Sequence, residues 1–191
     1  MTNEETKRKL TNLAITLFAS RGYNAVGVQE ICNTAEISKP TLYYYFKSKA
    51  GILEEIANTK GLEFRDKLRT AAEYKHDFSQ SLRDILICVI DFAIKNQDFF
   101  RLHCVLNNAP EGIEEKLIYQ QVIEGIDEII LDFFKSSTSE FGNMKGKEQL
   151  YSQLYLNNCI SIANMVLLGS LKDDESTIYQ IVHSFIYGVA S

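Results

Sequence analysis

Ser38-Lys39-Pro40-Thr41-Leu42-Tyr43-Tyr44-Tyr45-Phe46-Lys47-Ser48-Lys49 gathers cationic, phenolic and hydroxyl groups into one run. It offers three ammoniums, three phenols and three hydroxyls, and it contains no carboxylate. Ammoniums and phenols donate to phosphate oxygens, while threonine methyl and proline methylene groups can meet a thymine methyl. That is the chemistry of gripping a polyanion. A second place, His103-Cys104, holds the residue types of a base and a nucleophile. Successive helical residues point about 100° apart, so the two do not face each other. His76, His103 and His183 stand far apart, and no HExxH, GxSxG, glycine-rich phosphate loop or carboxylate pair occurs. The cysteines Cys32, Cys88, Cys104 and Cys159 form no CxxC pair. Neither a catalytic site, a metal nor a cofactor is expected. Each cysteine lies among apolar neighbours and reads as a reduced small hydrophobe, and no apolar run follows Met1-Thr2-Asn3-Glu4-Glu5. No signal peptide and a cytoplasmic protein are the expectation.

Helices must position the polar run. Only two prolines and ten glycines occur among 191 residues, which suits long uninterrupted helices. Leu10, Leu13, Ala14, Leu17 and Phe18 make one stripe of an amphipathic helix. Thr2 and Glu5 resemble a capping box before it, and Gly22 supplies a left-handed stop. Val28, Ile31, Cys32 and Ala35 repeat the stripe over a shorter span. Glu36-Ile37-Ser38 then leaves three residues before the next helix, with Ser38 as N-cap and Pro40 in the first turn, where a missing N–H costs nothing. Leu42 and Phe46 face inward, which turns Lys39, Pro40, Thr41, Tyr43 and Tyr44 outward. A helix cannot bury three consecutive positions on one stripe, so at least one of the three tyrosine rings is exposed. Helix, tight turn and second short helix are the geometry of a helix-turn-helix, with Ser38–Phe46 as recognition helix. Ser48 caps a fourth helix running through Ile52, Ile56, Phe64 and Leu68 to about Ala72, and Lys49 stands at its phosphate-favouring start.

The remainder also reads as helical. Leu82, Ile85, Leu86, Val89 and Ala93 form a stripe, a shorter helix covers Phe99–Asn107, and Pro110 is expected to open a helix through Leu117, Ile126, Ile130 and Phe133. Residues 136–146 read as an exposed loop, followed by helices over roughly 147–170 and 174–190. No charged residue occurs between Glu148 and Lys172. Ser152, Gln153, Asn157, Asn158, Ser161 and Asn164 interrupt that stretch on all sides and make it unfit for lipid. It is therefore expected to be buried on two sides in protein, and the last helix brings a matching stripe of Ile178, Ile181, Val182, Phe185 and Val189. The last two helices are expected to pair with their copies in a homodimer. Residues 1–50 hold seven Lys/Arg and four Asp/Glu, a surplus of three positive charges, which leaves the rest at −8 within a total of −5. A basic head on an acidic body lets one end approach phosphate.

The head resembles the TetR (TetR/AcrR) family of bacterial transcriptional regulators. The resemblance rests on Ala14-x-x-Leu17-Phe18, Gly22-Tyr23, Val28-x-x-Ile31, Ala35-Glu36-Ile37-Ser38 and above all Thr41–Lys49, over about residues 8–56. It implies an all-α fold of about nine helices: a helix-turn-helix domain over 1–47 and an effector-binding and dimerisation domain over 48–191. It implies a dimer on a near-palindromic double-stranded operator, usually as a repressor, released by a small molecule. Carried over, it assigns Lys39, Pro40, Thr41 and Tyr44 to base edges and nearby backbone, and Tyr43, Tyr45 and Lys49 to phosphates; Ser38, the cap, completes the DNA-contact set. Three departures stand out. Val26-Gly27 replaces a capping Thr, Pro40 replaces the commoner Gly, and Ala50-Gly51 lacks the usual acidic pair.

If an effector binds, its chamber is expected among the helices holding Phe64, Leu86, Phe100, His103 and Tyr119. The scarcity of charge there points to a neutral or lipophilic molecule. Binding would swing the fourth helix and shift the population away from the spacing that DNA requires. The alternative is a helix-turn-helix protein with no effector. An enzyme is the rival class, and no motif supports it.

Overall fold

The computed structural model describes residues 3–141 and 144–188. Among these residues the chain is helical throughout: α1 Asn3–Arg21, α2 Val28–Thr34, α3 Lys39–Phe46, α4 Lys49–Ile56, α5 Leu62–Ala71, α6 Phe78–Lys95, α7 Gln97–Asn107, α8 Glu114–Ser137, α9 Glu148–Leu167 and α10 Glu175–Tyr187. A π-helical turn, Ala57–Gly61, joins α4 to α5. Counted as the single helix that Ser48 opens, they bring the described residues to nine helices. The capping role expected of Thr2 and the stripe position of Val189 lie outside the described residues.

Two compact units are present. The first comprises residues 1–62 and 96–123, the second 63–95 and 124–191. In the first, α1 buries Leu10, Ala14 and Phe18 and packs along α7. Gly22 ends α1 at φ +82°, its N–H donating to the Phe18 carbonyl at 2.9 Å, the left-handed stop that only glycine adopts without strain. Arg21 pairs with Glu30 and ties the end of α1 to α2. Thr16 Oγ1 donates to Asp98 Oδ2 at 2.7 Å, and Lys7 pairs with Glu55 at 2.7 Å, so polar ties flank the apolar contact. The π turn accommodates a close approach: a Cβ on Gly61 would lie 2.7 Å from a Val122 methyl carbon.

In the second unit α6 packs against both α9 and α10. Phe64 stacks on Phe92 with centroids 4.6 Å apart, and Phe78 stacks on Phe133 at 5.7 Å. Tyr155 donates its hydroxyl to the Leu82 carbonyl, satisfying a phenol buried in the α6–α9 contact. Helix α9, uncharged after Glu148, is buried along Ser152, Tyr155, Leu156, Cys159 and Ala163. Its opposite side leaves Leu150, Leu154 and Met165 exposed, and Leu168 is exposed at its C-cap, so one side is covered within the chain. No helix among the described residues is long and apolar enough to cross a membrane. Pro110 does not open α8. Gly112 turns the chain at φ +83°, and the helix starts only at Glu114. The loop read over 136–146 is not fully exposed, because Ser137 still closes α8 and Met144 is buried.

Candidate nucleic-acid interface

The interface is built from the cap inward. Ser38 has extended backbone, φ −80° and ψ 154°, and its Oγ accepts the Thr41 N–H at 3.3 Å. Pro40 occupies the first turn, where its missing N–H costs no hydrogen bond. Leu42 and Phe46, at i and i+4, are buried against the head, and each burial is worth roughly 2 kcal/mol. That anchoring fixes what the rest of the helix presents. Ser38, Lys39, Pro40, Tyr43 and Tyr44 are exposed, Tyr44 to 73%, while Thr41 and Tyr45 are half-buried. The Tyr44 ring meets Tyr45 edge-on at 5.3 Å, and Tyr45 in turn meets Phe46 at 6.1 Å. The exposed phenol is therefore backed by a chain of rings leading into the core. Thr41 Oγ1 lies 2.8 Å from Ser38 Oγ, which ties its hydroxyl to the cap and leaves the methyl free for apolar contact.

The turns on either side set the helix in place. Glu36, at φ +55°, bends the chain between α2 and α3, and Ile37 N–H donates to the Cys32 carbonyl at 3.0 Å. At the other end Lys47, at φ +61°, closes α3 with its N–H on the Tyr43 carbonyl at 3.0 Å. Ser48 then caps α4 through the Gly51 N–H at 2.9 Å. The glycine at 51 is a positive requirement rather than a missing acid: a Cβ there would stand 1.9 Å from the Phe46 carbonyl oxygen. As the departure at Val26-Gly27 implies, the N-cap of α2 is Gly27 and no side chain caps it.

Lys49 is half-buried and engaged. Its Nζ donates to the Tyr23 carbonyl at 3.0 Å and stands 4.1 Å from the centre of the Tyr23 ring. Tyr23 is itself buried; burial and the hydrogen bond to Glu114 push its phenol above the ordinary tyrosine range. Sequence reasoning missed this arrangement. Tyr23 and Glu114 stand 91 positions apart, and nothing local marks them as partners.

The five residues chosen for an effector chamber are all buried and fall in both units. Phe100, His103 and Tyr119 come together in the first, with His103 Nδ1 at 3.2 Å from the Tyr119 hydroxyl. Burial, then Lys116, pushes the imidazole down to about 4. Phe64 and Leu86 belong to the packed core of the second. None of the five lines the cavity of about 690 Å³ in the second unit, which Phe78, Phe134, Tyr151, Leu154, Asn158 and Phe185 help to enclose. All four cysteines are free, Cys32 and Cys159 buried, and burial pushes Cys159 up to about 12.

An amphipathic α3, anchored by two buried residues and presenting lysine, proline and tyrosine behind a tight turn, defines a helix-turn-helix head. Residues 10–56 match the family model of bacterial regulatory proteins, tetR family. The chain is 28% identical over 116 residues to IcaR of Staphylococcus aureus (strain Newman), the HTH-type negative transcriptional regulator of the biofilm operon icaADBC, covering 61% of each chain. Against such curated relatives the chain spans between 55% and 68% of their own length. Its fold is shared with a candidate fatty acid metabolism regulator of Clostridium perfringens, at TM-score 0.79 and 24% identity over 95% of this chain and 98% of that one. It is shared too with FadR of Bacillus subtilis in complex with stearoyl-CoA, at TM-score 0.74 and 16% identity over 95% and 98%.

Proposed function

We propose that the chain is a transcriptional regulator of the TetR family, a repressor that binds a near-palindromic operator as a homodimer and is released by a neutral or lipophilic small molecule. The observation that carries the reading is the outer face of α3: Lys39, Pro40, Tyr43 and Tyr44 exposed over a buried Leu42 and Phe46. Ser38, Lys39, Pro40, Thr41, Tyr43, Tyr44, Tyr45 and Lys49 form the contact set, with the head over 1–47 and the body over 48–191. Repression is supported by the likeness to a negative regulator. Dimerisation is supported by the exposed stripe Leu150, Leu154 and Met165 on α9, continued by Leu168 at its C-cap, together with Tyr179 and Tyr187 on α10, because apolar stripes of this kind mark protein contacts.

The effector reading rests on the uncharged cavity of the second unit, whose polar groups are amides and hydroxyls such as Asn158, Gln180 and Ser184. Leu154 belongs both to that cavity and to the exposed stripe. Phe64, Leu86, Phe100, His103 and Tyr119 would take part only by opening a packed core. A fold neighbour captured with stearoyl-CoA supports a lipophilic ligand. The test is to select a duplex from a random pool with the whole chain, footprint it, and titrate stearoyl-CoA into the complex. Two-fold symmetric protection released by the ligand is expected. A single half-site, or release by detergent alone to the same extent, would overturn the reading.

A further inference from the structure

Behind the recognition helix, three elements of the first unit meet at one side chain. Tyr23, in the turn between α1 and α2, donates its hydroxyl to Glu114 Oε2 at 3.0 Å. Its neighbour Asn24 donates through Nδ2 to Glu115 Oε1 at 2.6 Å. Glu114 and Glu115 are the first two residues of α8, and Glu115 is buried. On its other side Tyr23 holds Lys49, the first residue of α4, through its carbonyl at 3.0 Å and its ring face at 4.1 Å. The ring is fixed by an edge contact with Phe18 at 5.2 Å. A long, flexible lysine is thus held at one place by a rigid aromatic residue whose other end is tied to α8. Of its three donors one lies on the Tyr23 carbonyl, and two remain for a phosphate.

We propose that Tyr23 is a positioning residue that ties the first turn of α8 to the ammonium of Lys49 and thereby sets how that ammonium meets DNA phosphate. The inference rests on the DNA-binding reading and adds a route by which α8, remote from DNA in sequence, tunes operator affinity. A side chain with four rotatable bonds loses affinity when it must be ordered on binding, and pre-ordering removes that cost. The acids at the start of α8 do not touch DNA; they act through Tyr23.

The test is a double-mutant cycle on the whole chain, using the duplex that the wild-type protein selects from a random pool, with affinity measured at several salt concentrations. Tyr23→Phe keeps the ring and the carbonyl and removes only the link to Glu114. Glu114→Ala removes the same link from the other side, and Glu114→Gln keeps an acceptor for the phenol. Tyr23→Phe and Glu114→Ala should each weaken binding about five- to tenfold, by analogy with pre-organisation effects elsewhere. They should also lower the salt slope toward that of Lys49→Ala, which itself should fall by about one. Glu114→Gln should restore most of the affinity. In a Lys49→Ala background neither change should weaken binding further.

A role in folding alone would shift affinity at unchanged slope and persist in the Lys49→Ala background, and that result would overturn the proposal. So would unchanged affinity in Tyr23→Phe. If the wild-type chain selects no duplex at all, it is the DNA-binding reading that fails, which the cycle then reveals separately.

Discussion

His103 offers a quantitative test of how tightly the first unit is packed. The imidazole is buried between Phe99, Phe100 and Tyr119, with ring centroids at 6.4, 6.3 and 5.8 Å. Lys116, also buried, carries a positive charge nearby, with its Nζ on the Asn107 carbonyl at 2.6 Å. Burial first and Lys116 second lower the imidazole from 6.5 to about 4. Because the folded value lies below the unfolded one, the unfolded chain binds the proton more readily. Stability is therefore complete above pH 6.5 and falls as the pH drops toward 4. At pH 5 the loss is about 2 kcal/mol, and by pH 4 it is about 3 kcal/mol. For a chain of this size 2 kcal/mol corresponds to a drop in Tm of roughly 4–8 °C. Thermal unfolding by circular dichroism at pH 7 and pH 5, at fixed protein concentration, reads it out. His103→Phe should be less stable at pH 7, having left the Tyr119 hydroxyl without its imidazole partner, yet should lose about 2 kcal/mol less between the two pH values. Carboxylates held below their usual range, among them Glu140 and Asp174, are common to both proteins and cancel in the difference. An equal pH-dependent drop in wild type and variant would refute the buried, neutral imidazole.

Three further outcomes follow from the geometry. Gly51→Ala places a Cβ 1.9 Å from the Phe46 carbonyl oxygen and must displace the α3–α4 junction; a loss of about 1–3 kcal/mol in urea unfolding is expected, and an unchanged midpoint would count against the close approach. Lys47→Gly removes a side chain from a residue at φ +61° and ψ −33°, so it should stabilise by up to about 1 kcal/mol, read as a rise in Tm. Leu154→Glu with Met165→Glu puts charge on the exposed stripe of α9 and should give a folded monomer by sedimentation; a dimer retained at micromolar concentration would rule that stripe out as the interface.

What could be read in the sequence was what is local. Ser38 and Ser48 cap the helices that follow them because a cap is a bond three residues long, and Gly22 ends α1 because a left-handed stop needs one residue. The exposure of Tyr44 followed from helical geometry alone. Proline is compatible with a first turn and so points to a start at Pro110, whereas Gly112, two residues on, takes a positive φ and α8 starts at Glu114. The π turn Ala57–Gly61 has no local signature, and the close approach of Gly61 to Val122 at its end is a tertiary contact. Gly51 read as the absence of an acid, although the backbone passing behind it dictates the choice. The Tyr23–Glu114 link spans 91 positions and has no local period to betray it. The residues expected to line an effector chamber, Phe64, Leu86, Phe100, His103 and Tyr119, are buried, and buried residues fill a core as readily as they line a cavity.

The central claim is that α3 reads DNA through its outer face, and the exposed Tyr44 is the side chain that tests it. The measurement is fluorescence anisotropy of the selected duplex with wild type and Tyr44→Ala at two salt concentrations, with Tm measured alongside. Because Tyr44 is 73% exposed, its truncation should leave Tm within a degree or two while weakening binding by about 1–3 kcal/mol, roughly five- to 150-fold. Wild-type affinity should fall steeply as salt rises. Equal affinity of the two proteins, at equal stability, would contradict the account.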